Sequence, residues 1–318
     1  MTRYIARRVL FSLVLVWAVG SLVFLFIHIL PGDPAQIILG SSETRQPTVE
    51  EVARVRERLG LDRPFLIQYG DFVASALTGD FGNSFVNNRP VSQDLGLRLG
   101  RTLQLILPAV VLSAIIGIVL GVLAAKARGG WADTLISAFG LLGLSLPGFV
   151  TGSLLVLVFA IQISLLPSSG YAPPLESPAE FLRYIALPLA TLTLGGIGPV
   201  MRMTRMTMVE QSNQEYVRTA RAKGMSERNV TYRHVLRNAM LPVVTVIGLQ
   251  LGSRFAGTVL VETIFNWPGI SSFLIGAVNN RDYPVVQGTM IVIAAIFVFI
   301  NLVTDLLYAV VDPRIHYA

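Results

Sequence analysis

Few side chains in this sequence could do chemistry, and the boldest of them interrupt an apolar run. Arg254 and Glu262 lie within the hydrophobic stretch Leu241–Phe265, with Gln250 one helical turn before the arginine. A charge at bilayer depth costs at least about 2.5 kcal/mol on insertion scales, so it faces a cavity, a partner or the interface. Arg254 therefore has three readings. It lines a pathway and meets a substrate carboxylate, it pairs with an acid on another subunit, or it snorkels to an interface. Glu262 is either a gating contact or a solvated helix end. Gln250 and Asn301 suit interhelical hydrogen bonds. Arg254, Gln250 and Glu262 form the candidate pathway set.

Other chemistry is missing. The histidines His28, His234 and His316 are scattered, and there is no cysteine. A metal cluster, a thiolate site and a disulfide framework are not expected. No G-x-x-x-x-G-K-[ST], H-E-x-x-H or G-x-S-x-G run occurs, which removes a phosphate-cradling loop and the commonest hydrolytic sites. The chain is expected to be no enzyme and to bind no cofactor itself.

The remaining polar feature is the segment Gln211–Pro242, QSNQEYVRTARAKGMSERNVTYRHVLRNAMLP. Glu215–Lys223 reads as a helix, with Glu215 able to pair with Arg218 at i, i+3. Tyr216, Ala220 and Gly224 fall at i, i+4 and i+8, a stripe of mostly small residues that Val217 widens. Gly224 is placed to end the helix in a left-handed cap, and Ser226 to cap a second short helix to about Arg237. Pro242 then opens the next apolar segment. The stripe and the glycine suit a protein groove. A basic loop resting on anionic headgroups would require neither.

The elements that carry these residues are membrane spans. Of the 318 residues 53% are hydrophobic and 14% charged, with mean hydropathy +0.63, against about 25% charged in soluble domains. Six segments reach the ~20 apolar residues a spanning helix needs: Val9–Leu30, Thr102–Ala125, Thr134–Leu166, Tyr184–Met201, Leu241–Phe265 and Pro284–Val311. The first is too long for a signal-peptide core and reads as a retained anchor. Pro147–Gly148 marks a hinge or a packing kink in the third, and Gly195, Gly196, Gly198 and Pro199 soften the fourth. Pro31, Gly32, Asp33 and Pro34 stop the first. Asp305, Asp312, Pro313 and Arg314 end the last.

The formal charge of +6 follows from orientation and does not point to nucleic acid. Between Arg202 and Arg237 eight basic residues face three acidic ones. Arg3, Arg7, Arg8, Lys126 and Arg128 fall on the same side. Both termini and the Gln211–Pro242 loop are thus expected in the cytoplasm. Residues 31–101 form the one sizeable external insertion, where Thr48-x-x-Glu51 has the form of a capping box. Phe65, Leu66, Tyr69, Phe72 and Phe81 supply packing there, which can coexist with a contact to a binding protein. This divides the chain into residues 1–30, the insertion 31–101, a five-helix core 102–311 with the polar loop at 207–242, and a tail 312–318.

EYVRTARAKG (Glu215–Gly224) with HVLRNAMLP (His234–Pro242) resembles the EAA loop of ABC importer permeases. LPGDP (Leu30–Pro34), ETIFNWPG (Glu262–Gly269), NRDYPVVQG (Asn280–Gly288) and DLLYAVVDPRI (Asp305–Ile315) extend the resemblance over nearly the whole chain. The likeness is to the dipeptide, oligopeptide and nickel permease family, most of all its dipeptide B-type subunits. Arg218 and Thr219 stand where the general motif has Glu and Ala. The resemblance implies an all-α, type I importer permease (MetI-like topology) in the bacterial inner membrane. It implies a second, different permease subunit, two cytoplasmic ATPases that bind ATP and Mg, and an external substrate-binding protein. It assigns ATPase coupling to Glu215, Tyr216, Arg218, Thr219, Ala220, Arg221, Lys223 and Gly224. Dipeptides, longer peptides, opines, glutathione-like peptides and nickel chelates all fit this branch. A self-contained secondary transporter is the competing class, but the charge is concentrated in the cytoplasmic loop, which argues against it.

Overall fold

An apolar segment in lipid must satisfy its backbone groups internally, so runs of this length become helices. The structure, a computed structural model, describes residues 2–29, 35, 39, 48–58 and 61–311. Among them the fold is all-α, with one isolated bridge pairing Asn83 and Pro90. The helices are α1 Thr2–Ile29, α2 Val49–Arg58, α3 Phe65–Thr78, α4 Val91–Lys126 and α5 Trp131–Ser145. Next come α6 Gly148–Leu155, running on as a π-turn Val156–Gln162, α7 Pro178–Ser212 and α8 Glu215–Ala222. Then α9 opens at Glu227–Asn229, widens into a π-turn at Val230–Leu236 and continues as Arg237–Ile264. Last are α10 Ile270–Asn279 and α11 Tyr283–Val311. The LPGDP run, the side chains of His28 and Asp305, and Asp312, Pro313, Arg314 and His316 lie outside the described residues.

Among the described residues five helices are long and apolar enough to cross a membrane, and α5 with α6 makes a sixth if taken as one broken span. That pair is bent by 103° at Pro147–Gly148, where a hinge or a packing kink was expected. The break is sharp because Pro147 forces the residue before it out of the helical region, and Leu146 (φ −81, ψ 122) ends α5 there. Two further expectations change. Pro242 opens no new helix, since it lies inside α9, and the second helix of the loop is the beginning of that long span. The fourth span is one 35-residue helix, α7, and its glycines admit neighbours rather than soften it.

The described residues form two compact units. One draws on Met1–Thr102 and Pro268–Phe299, the other on Leu103–Trp267 and Ile300–Ala318. In the first unit the capping box closes as expected. The Thr48 N–H donates to Glu51 Oε2 at 2.8 Å and the Glu51 N–H to Thr48 Oγ1 at 3.4 Å. Phe65, Tyr69 and Phe72 of α3 surround Phe24 of α1 with centroids 5.2–5.4 Å apart. The Tyr69 and Ser21 hydroxyls share a 2.6 Å bond. Phe65, Tyr69 and Phe72 therefore pack as expected, while Leu66 is exposed. Val91, Leu95, Ile270, Ala277 and Val285 form the other core of this unit, with Phe81 against it.

In the second unit α7 lies against α4, α5 and α9. Small residues make the approach possible. A Cβ built at Gly117 or Gly121 of α4 would fall 2.7 Å from Val200 Cβ or 2.5 Å from Thr204 Cβ. One at Gly143 of α5 would meet the Leu194 carbonyl at 2.9 Å, and Gly140 abuts Met201 and Gly198. A separate core of Leu105, Ala109, Leu192, Val261, Phe265 and Trp267 closes the other end.

Candidate functional site

The polar loop is built as a hairpin. Gln214 is extended (φ −75, ψ 151), which starts α8 at Glu215. The helix stops as the sequence predicts. Gly224 takes φ +76, its N–H donates to the Arg221 carbonyl at 2.9 Å, and the Met225 N–H donates to Ala220 at 3.3 Å. This 5→2 and 6→1 pair is a Schellman motif, with Met225 packed beside Ala220 as its apolar contact. Ser226 occupies the next cap position, but its side chain makes no capping bond.

The faces of α8 are assigned differently from the expected stripe. Val217 (0% exposed) and Ala220 turn inward onto Val122, Met208, Val230, Val235 and Ala239. An amphipathic eight-residue helix needs that burial, because it is too short to be stable by propensity alone. Glu215, Tyr216, Arg218, Thr219, Arg221, Lys223 and Gly224 face outward. Ala220 thus serves its own chain, and the outward surface is basic. Arg218 Nη1 donates to Glu215 Oε1 at 2.7 Å and Arg221 Nε to Glu227 Oε1 at 2.8 Å, the second pair spanning the Gly224 turn. Tyr216 donates to Gln211 Oε1 at 2.8 Å, and Thr219 to the Glu215 carbonyl at 3.0 Å. Exposed pairs of this kind contribute only about 0.2–1 kcal/mol each, so a partner's acids can displace them cheaply.

Arg254 and Gln250 come together as a polar clamp between α9 and α7. Arg254 Nη1 donates to the Leu192 carbonyl at 2.8 Å and Nη2 to Gln250 Oε1 at 3.3 Å. Gln250 Nε2 donates to the Gly196 carbonyl at 3.1 Å. Gln250 is thereby the interhelical partner its type suggested. Glu262 is not with them. It lies two turns on and is 0% exposed, which overturns helix-end solvation for it.

Two polar pairs escaped sequence reasoning. Asp282, inside the Asn280–Gly288 run, accepts from Ser84 Oγ at 2.5 Å and from the Phe85 N–H at 3.0 Å. Asp133 is gripped by Arg205 at 2.6 Å. Each joins positions distant in sequence. The only local signal was a lone acid at the edge of an apolar run.

Comparison with known proteins decides what these elements belong to. Residues 117–317 match the family model of the binding-protein-dependent transport system inner membrane component, and residues 1–106 match the model of its N-terminal part. The chain belongs to this family. It is a multi-pass inner-membrane permease of an ABC importer and not an enzyme, since separate ATPase subunits hydrolyse ATP. The permease is 39% identical over 317 residues, covering 100% of both chains, to the glutathione transport system permease protein GsiC of Salmonella typhimurium. It is 40% identical over the same span to GsiC of Escherichia coli. Two solved structures share its fold. One is an amino acid ABC transporter with histidines (TM-score 0.51, 16% identity, 70% of this chain and 95% of that one). The other is the MetNI methionine ABC transporter in inward-facing conformations (TM-score 0.53, 18% identity, 69% and 96%). The expected importer permease family and all-α permease fold both hold.

Proposed function

We propose that this permease forms half of a pathway for dipeptides or short peptides of glutathione size, paired with a second, different permease subunit. The relatives named for glutathione transport at 39–40% identity over the full chain support the substrate class. The distribution of Arg and Lys supports a cytoplasmic position for both termini and for α8. There α8 seats in a groove of one of two ATPases, which carry the ATP and Mg, and a substrate-binding protein docks on the opposite face. The observation that carries this reading is the outward surface of α8. It is basic, closed by a left-handed glycine, and riveted from behind by Val217 and Ala220.

ATP binding closes the ATPase pair, and α8 transmits the movement as a lever. The spans then rock from inward-facing to outward-facing, a rigid-body switch. Nucleotide drives this only through tighter binding to one of the two states. Arg254 and Gln250 work at the α7–α9 contact that such rocking strains. Arg254 keeps further N–H groups beyond its two bonds, so a substrate carboxylate remains a second partner for it. Glu262 stays in the pathway set as a buried gating contact. The test is uptake by the four-subunit complex in vesicles, with binding protein and ATP. Labelled dipeptides and glutathione are expected to enter. Co-purification without ATPases, or uptake independent of ATP, would overturn the reading.

A further inference from the structure

The second unit contains an ion pair that the transport cycle described so far does not use. Asp133 lies in the first turn of α5 and Arg205 seven residues before the end of α7. Arg205 Nε donates to Asp133 Oδ1 at 2.6 Å and Nη2 to Oδ2 at 2.7 Å, a two-pronged grip. The same carboxylate accepts the Gly129 N–H at 3.1 Å and the Ser137 hydroxyl at 3.4 Å. Gly129 sits at φ +78 in the turn between α4 and α5. One buried carboxylate, with a side chain 7% exposed, thus ties together the α4–α5 turn, the start of α5 and the end of α7.

Its place along the chain gives the pair a consequence. From Arg205 the helix runs without a break to Ser212, and Asn213–Gln214 leads directly into α8. On the other side, α5 runs from Asp133 to the 103° break before α6. Between these ends α5 and α7 touch backbone to backbone through Gly140, Gly143 and Gly198. Met201 sits over Gly140 and Leu144 over Gly198, apolar contacts that carry no directional bond. The ion pair adds a directional, two-pronged bond to this packing.

We propose that Asp133 and Arg205 are positioning residues that make α5 follow α7, so that motion entering at α8 reaches the broken span. The proposal rests on α8 being the ATPase-docking helix. A pair of purely structural worth would stabilise the subunit without affecting how much transport each ATP yields.

The cleanest variant is Arg205→Lys, which keeps the charge but loses the planar fork and leaves the Gly129 and Ser137 bonds untouched. Asp133→Asn keeps an acceptor and removes the charge. Complexes with ATPases, second permease and binding protein are reconstituted, and uptake of a labelled dipeptide mixture and of glutathione is measured per ATP hydrolysed. Each variant is expected to lower that ratio at least about fivefold, the lower end of ordinary coupling factors. The double variant should do no worse than either single one, because both act through one contact. An unchanged ratio in Arg205→Lys overturns the proposal. So does a loss in which hydrolysis and uptake fall together with the amount of assembled complex.

A second measurement does not depend on docking. The chain has no cysteine, so spin labels at Leu135→Cys on α5 and Met206→Cys on α7, both exposed, are unique. One narrow distance is expected in the parent, with or without ATP, and a broadened one in Arg205→Lys. Equal distributions overturn the proposal. A parent complex that shows no ATP-driven uptake, yet keeps this difference, would instead count against the docking of α8.

Discussion

Arg254 donates from Nη1 to the main-chain carbonyl of Leu192 at 2.8 Å, so a charge on α9 is held by the backbone of α7. A carbonyl has two lone pairs, and a helix can therefore lend one to a neighbour without losing its own ladder. With Gln250 bridging to Gly196 at 3.1 Å, the two helices share a polar contact one turn long. Truncating Arg254 strands the Gln250 amide oxygen in a buried setting, at a cost of about 1–3 kcal/mol.

Arg254→Ala is accordingly expected to reduce uptake of peptides with free and with amidated C-termini alike, and to lower thermal stability in detergent. A larger loss for peptides with a free carboxylate would add the substrate contact that its remaining N–H groups permit. Unchanged uptake of both would remove it from the pathway altogether.

Gly196→Ala probes the same contact from α7. The added Cβ would lie 2.5 Å from Arg254 Nη2 and 2.7 Å from Ser113 Cβ, an overpacking that costs about 1–3 kcal/mol. Gly257→Ala on α9 meets nothing within 4 Å and should leave the unfolding temperature unchanged or raise it slightly. Equal unfolding temperatures for the two variants would show that the clamp yields freely.

Asp282→Ala should loosen the segment 82–90 more than Ser84→Ala does. The aspartate also holds the Phe85 N–H at 3.0 Å, a bond that survives loss of the serine hydroxyl. Cleavage by chymotrypsin after Phe85, which Val86 follows, in intact vesicles reads this directly. Cleavage is expected to rise strongly for Asp282→Ala and modestly for Ser84→Ala. No rise in either would mean that packing of Phe85 on Tyr283, edge-on at 6.4 Å, holds the segment alone.

The helices were legible because bilayer thickness and backbone hydrogen bonding leave an apolar run of ~20 residues few alternatives. The Gly224 cap was legible because it is local. Its glycine, the preceding helix and the following Met225 all lie within one turn. What sequence could not reveal was long-range. Nothing near Asp133 points 72 residues ahead to Arg205, and nothing near Ser84 points 198 residues ahead to Asp282. The faces of α8 were misassigned for the same reason. Small residues at i, i+4 and i+8 look alike whether they await a partner or already face Val122 and Val235. One long-range signal was present. Gly117-x-x-x-Gly121 marks a close helix contact, which α7 supplies through Val200 and Thr204.

The central claim is that the outward face of α8 is where ATPase motion enters, and Gly224→Trp tests it most directly. A Cβ at Gly224 meets nothing within 4 Å, so the permease itself feels little beyond the left-handed backbone cost of about 1–2 kcal/mol. Uptake and ATP hydrolysis are measured together in vesicles holding equal amounts of assembled parent or variant complex. Uptake is expected to fall at least tenfold (~1.4 kcal/mol of lost coupling) while hydrolysis continues. Normal uptake by the Gly224→Trp permease would contradict the claim.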